Sequence, residues 1–172
     1  MPLLPFHFGP AIALKALMPA YFSLSVFALS QILMDLEPLY FIITDQPPLY
    51  RFFHTYAGAG VICLICIVIG KPVGQLWIRW WNKAISPGHH SRLHGNDKIP
   101  FKATVIASFI GAFSHVFLDS IMYADVHPLS PWSEQNHMLG TLNLLALHFG
   151  LIALGTVGAF WLVLMVLMNR FR

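Results

Sequence analysis

The residues best suited to chemistry lie between Ser114 and Pro128, in the run Ser-His-Val-Phe-Leu-Asp-Ser-Ile-Met-Tyr-Ala-Asp-Val-His-Pro. On a helix, His115 and Asp119 share one face, one turn apart. Asp125 and His127 follow, and Pro128 forbids further helix there. Two imidazoles and two carboxylates thus crowd one stretch of a chain that carries few charges. Imidazole with carboxylate is a donor set for zinc, manganese or iron, and soft thiolates are missing from the stretch. We read it as one wall of a metal site, which the other elements must complete.

The composition says what kind of scaffold does this. The chain has 172 residues, 57% of them hydrophobic and only 10% charged. A soluble domain carries roughly 25% charged residues. The sequence therefore predicts a polytopic membrane protein, all-α, with a single integral domain over residues 1–172. Ionisable side chains at membrane depth are costly and commonly functional, which sharpens the reading of His115 and Asp119. The start, Met1-Pro2-Leu3-Leu4-Pro5, has no basic segment, so no cleavable signal is expected. The formal charge of +3 belongs to a basic loop and tail and gives no nucleic-acid surface. Cys63 and Cys66 lie one turn apart in an apolar run and read as packing residues.

Taken in order, the chain predicts four spans and a short N-terminal helix. The apolar run Phe8–Met18 is too short to cross a bilayer, which takes about 20 residues. Pro19 follows, and Ala20–Met34 is apolar again. This permits either one kinked span or a hairpin turning near Met18-Pro19. We favour the hairpin, because it returns His7 to the side of Asp35. A straight helix would hold the two about 40 Å apart. Asp35-Leu36-Glu37-Pro38 reads as a helix exit, followed by a loop to Phe53. His54 opens a long span to Trp81, which Pro72 should kink or break. Residues 82–100 form a polar loop with His89, His90 and His94, expected to be solvated. Phe101–Ser120 is the third long span, 121–137 a loop, and Met138–Met168 the last apolar run. Trp77, Trp80 and Trp81 suggest an interfacial belt.

Alternating spans bring Asp35 and Glu37, His54, and His115 and Asp119 to one side, with Asp125 and His127 just beyond and His7 added by the hairpin. Arg79, Lys83, Arg92, Lys98, Lys102, Arg170 and Arg172 collect on the other side, with Lys15. Basic loops are cytoplasmic by rule, so the acidic side should be external. A site with several His and acids can hold one ion, or two about 3.5–4 Å apart. Asp35, Glu37 and Asp119 are the carboxylates able to serve a reaction as ligand or general base.

These pieces resemble a known family. His7, Asp35-Leu36-Glu37, His54-Thr55, and Ser114-His115 through Asp119 match the motifs of the YdjM-like family of membrane-bound, metal-dependent hydrolases of bacterial inner membranes. That family is distantly related to zinc-dependent phospholipase C. The match is not complete: Met34-Asp35-Leu36-Glu37 stands where the family has Pro-Asp-x-Asp, and Arg51-Phe52-Phe53-His54-Thr55 only approximates Arg-Gly-x-Thr-His-Ser. The resemblance implies a helical fold, a divalent metal centre with zinc foremost, and a phosphoester or lipid-like small-molecule substrate met among membrane lipids. Three non-enzymatic readings compete. A transport path needs polar residues continuing through the membrane. Haem binding through His54, His115 or His148 needs a Soret band. A polar cluster that only fixes helix packing needs no metal at all.

Overall fold

The computed structural model describes residues 6–85, 96 and 98–168. His89, His90 and His94 of the basic loop, and Arg170 and Arg172 of the tail, lie outside the described residues. Among those described there is no strand. The elements are α1 (Phe8–Leu17), α2 (Leu24–Ile43), a 3-10 turn (Phe52–His54), α3 (Tyr56–Ile85), α4 (Phe101–Met122) and α5 (Leu144–Leu167). The last four helices are long and apolar enough to cross a membrane, and α1 is the short one.

α1 and α2 form the hairpin. Pro10 sits in the first turn of α1, where a missing N–H is tolerated. The helix stops at Met18, and Lys15 closes the reversal by donating from Nζ to the carbonyls of Pro19 at 2.6 Å and Phe22 at 2.9 Å. Basic side chains commonly satisfy carbonyls at a helix end in this way. Ser23 then caps α2, its hydroxyl accepting from the Val26 amide. α1 is about 15 Å long, and α2 climbs about 16 Å from Leu24 to Asp35, so His7 and Asp35 return to one level.

The helices differ from the sequence reading in several places, with α3 opening at Tyr56 after a 3-10 turn that holds His54 and ending at Ile85, and α4 ending at Met122. α2 does not exit at Asp35–Glu37. It runs through Pro38 to Ile43, because one missing amide in an otherwise apolar turn is affordable while Leu39–Ile43 still continue the apolar run. Pro72 does not break α3, which is continuous to Ile85. The last helix starts at Leu144, where Asn143 caps it by accepting from the Leu145 and Ala146 amides; the residues from Met138 to Asn143 belong to the preceding loop.

α2, α3 and α4 pack against one another, and the core between them holds Val26, Phe27, Met34, Ile62, Cys66 and Val116. Both cysteines are free and buried in this core, as packing residues should be. α2 and α4 approach closely at Gly111, where any β-carbon would run into the Ser30 side chain. α5 reaches the rest of the protein chiefly through α1. That contact is backbone on backbone: a β-carbon at Gly9 would meet the Leu151 carbonyl, and one at Gly158 would lie 2.6 Å from the Ala13 nitrogen.

A bulky residue at Gly158 should therefore push α1 off α5 and take His7 with it. Gly158→Leu is expected to lower stability by about 1–3 kcal/mol, the usual range for overpacking. It should also weaken metal binding as much as His7→Ala does, with little added effect when the two are combined. Chelator competition on the single and double variants measures this; fully additive losses would mean that α5 does not position His7.

Candidate metal centre

His115 and Asp119 lie on one face of α4 near its C-terminal end, both buried. His54 enters from the 3-10 turn ahead of α3, Asp35 from α2, and His7 from the start of α1. Five side chains from four segments meet in two overlapping triads, His7–His115–Asp119 and Asp35–His54–His115, in each of which the ligand atoms lie within 4.8 Å of one another. Asp119 is the hub. Its Oδ1 lies 3.3 Å from His7 Nε2, and its Oδ2 lies 3.4 Å from His115 Nε2 and 3.6 Å from His54 Nε2. Asp35 Oδ1 adds a contact of 3.5 Å to His115 Nε2. The His7 and His115 rings stack at 4.4 Å, 10° from parallel.

The outer hydrogen bonds determine which ring nitrogens face inward. Gln31 donates from Nε2 to the Gly111 carbonyl at 2.9 Å and to Ser30 Oγ at 3.3 Å. Its Oε1 therefore faces His115 Nδ1 at 2.8 Å and can only accept, so Nδ1 carries the proton. On the other side Glu37 Oε2 accepts from His54 Nδ1 at 3.1 Å. The same carboxylate also accepts from the Phe53 and Arg51 amides, which fixes the turn that presents His54. With both Nδ1 atoms engaged outward, the rings of His54 and His115 turn Nε2 toward the carboxylates. Burial pushes the His7 imidazole below its ordinary range, more than neighbouring Asp119 raises it, so this ring favours its neutral form.

Where such a ring is neutral, its Nε2 lone pair repels the facing carboxylate unless a proton or a metal cation lies between them. The Nε2 atoms of His7, His54 and His115 and Oδ1 of Asp119 are all buried and without a hydrogen-bond partner. Their separations point the same way. Charge-assisted hydrogen bonds run about 2.7–2.9 Å. The edge of a tetrahedron with bonds of about 2.05 Å, the usual zinc–nitrogen length, is about 3.3 Å. Distances of 3.3–3.6 Å fit the edges of a coordination shell better than a set of hydrogen bonds. With an ion bound, each Nδ1 bond to Gln31 or Glu37 would be the outer-shell contact that orients a ligating histidine.

The sequence candidates separate accordingly. His7, Asp35, His54, His115 and Asp119 converge. Glu37 lies behind His54 and is engaged by three donors. His127 donates from Nδ1 to the Glu134 carbonyl at 2.6 Å, within its own loop. Asp125 and His127 belong to neither triad. His148 donates from Nδ1 to the Leu144 carbonyl of its own helix and meets the Phe6 ring edge-on. Sequence reasoning missed Gln31, whose signal was an amide in an apolar helix one turn before Asp35. It also missed Tyr50, a buried ring set edge-on to His54 at 4.7 Å, and Tyr123, stacked on Tyr50 at 4.9 Å. No family model, curated protein or solved structure matches this chain.

Removing an outer-shell partner should weaken the metal without removing a ligand. Gln31→Leu and Glu37→Gln are each expected to lower divalent-metal affinity about 10–100-fold. Competition with a chelator of known affinity gives the number, and wild-type affinity in both variants would refute the assigned ring orientations.

Proposed function

We propose that this chain is a membrane-embedded, metal-dependent hydrolase acting on a phosphoester or lipid-like substrate, with zinc as the first candidate ion and one or two ions bound. The observation that carries the reading is the set of three unpartnered Nε2 atoms around Asp119 at coordination-edge spacing. The resemblance of His7, Asp35-Leu36-Glu37, His54-Thr55 and His115 through Asp119 to the YdjM-like hydrolases supports the same reaction class.

His7, His54, His115 and Asp119 would hold the ion, with Asp35 at its open side. A divalent cation there supplies Lewis-acid charge for a phosphoryl oxygen and lowers the pKa of water toward neutrality. Among the carboxylates of the cluster, Asp35 suits the general base. Its side chain is 27% exposed, whereas that of Asp119 is 3% exposed and is contacted by three imidazoles. Glu37 holds His54 in place. Access from the Asp35 side brings substrate in at the end of the bundle where α3 begins and α4 ends. Lys15, Lys83, Lys98 and Lys102 lie toward the opposite end, which supports a cytoplasmic basic face and an external site in a bacterial inner membrane.

A second reading has its own support. The same five residues, with Glu37, make close histidine–carboxylate pairs, which protons alone could hold together as polar glue between helices. The two readings differ in metal content. Elemental analysis of detergent-purified protein should find a near-stoichiometric transition metal that is lost in folded His115→Ala and Asp119→Ala variants. Phosphoester and lipid substrates should then be cleaved by the loaded wild type, with Asp35→Asn losing at least about 100-fold in rate at unchanged metal content. Protein that stays metal-free after zinc, manganese and iron are each supplied would leave the packing role in its place.

A further inference from the structure

The two tyrosines beside the cluster have no role in ligation. Tyr50 comes from the loop ahead of the 3-10 turn, and Tyr123 is the C-cap of α4, one turn beyond Asp119. Their backbones are held from both sides. The Arg51 amide is tied to Glu37, and the Tyr123 amide donates to the Asp119 carbonyl at 2.8 Å. Tyr50 is 6% exposed, and its ring bridges His54 and Tyr123. The pair therefore forms a wall of the site next to partly open Asp35.

The two rings stack at 4.9 Å, 28° from parallel, which sets the phenols side by side. A phenol ordinarily titrates near pH 10, so both are neutral donors at neutral pH, beside a cluster of carboxylates. Two hydroxyls can share only one hydrogen bond between them, so at least one O–H is left to donate. An anion approaching this cluster meets Asp35, Asp119 and Asp125. Neutral phenol donors and a bound cation are what could hold it there. A planar carboxylate directs both oxygens along one edge, whereas a tetrahedral phosphoryl group has oxygens that diverge toward a cation and a side wall at once.

We propose that Tyr50 and Tyr123 form an oxyanion-binding pair that holds a phosphoryl oxygen of the ligand beside the metal centre. This rests on the metal reading above and narrows its substrate class to phosphoryl compounds. The phenols do not ligate the ion. They bind and orient the group that reaches it, from the side where Asp35 is open.

The test is binding of inorganic phosphate, followed by calorimetry, to zinc-loaded protein, with acetate as the planar comparison. Metal content is measured on every sample. Wild type should bind phosphate more tightly than acetate. Tyr50→Phe and Tyr123→Phe keep both rings and their packing. Each should weaken phosphate about tenfold or more, as expected for a hydrogen bond to a charged group, while zinc stays at the wild-type level. Phosphate affinity that is unchanged in both variants, or no phosphate preference in wild type, overturns the pair's role and leaves the metal centre standing. Protein that takes up no metal overturns the hydrolase reading itself, and this pair's role with it.

Discussion

Asp119 is the constraint on which the rest of the structure depends. A carboxylate buried in a membrane bundle is very unfavourable unless it is compensated. Here three imidazoles surround it, and each arrives from a different segment. One neutral histidine could donate a proton to it. Three cannot, once Gln31 and Glu37 have oriented two of the rings with Nε2 inward. Protonating all three would place cations in stacked rings 4.4 Å apart. A single divalent ion would resolve the conflict with less charge crowding, because it could accept every inward lone pair at once. The histidine–carboxylate distances of 3.3–3.6 Å leave room for such an ion.

The fold serves that requirement with unusual economy of polar groups. Gln31 uses its whole amide: the nitrogen binds α4 at Gly111 and the oxygen orients His115. Gly111 in turn lets α2 come close enough for that contact, since a side chain there would strike Ser30. Glu37 ties together the turn that carries His54, through two backbone amides and the ring itself. The loop after α4 is latched beside this turn, where the Tyr56 amide donates to the Pro128 carbonyl at 2.8 Å. Orientation of the ligands thus comes from helix-to-helix and turn-to-helix bonds, and little of it depends on exposed loops.

Much of this was legible in the sequence, for physical reasons. His115 and Asp119 announced themselves by spacing and by being ionisable in an apolar helix. Pro19 and the short run before it made a hairpin possible, and the hairpin brings His7 to the site. Four long apolar runs predicted the four long helices. What escaped was the role of each acid. Read as an exit, Asp35-Leu36-Glu37 let both carboxylates reach one ion. Because α2 continues to Ile43, residues two apart point about 200° from each other, so Asp35 faces the cluster and Glu37 turns to His54. Helix continuation through Pro38 decides this, and a proline in an apolar run does not reveal it. The tyrosines were hidden for another reason: only the meeting of two distant loops places Tyr50 against Tyr123.

The least secure ligand in mechanical terms is also the one that closes the site. His7 heads α1, a short helix of ten residues. α1 touches α2 through Phe8 against Phe27, but its main support is α5. α5 has no comparable contact with α2, α3 or α4, and only 11% of its apolar window is buried inside the protein. The other four members of the cluster stand on helices and a turn that pack directly against one another. Without His7 the cluster would keep Asp35, His54, His115 and Asp119. Completion of the cluster is therefore coupled to the docking of α1 on α5, where Gly9 and Gly158 let two backbones touch.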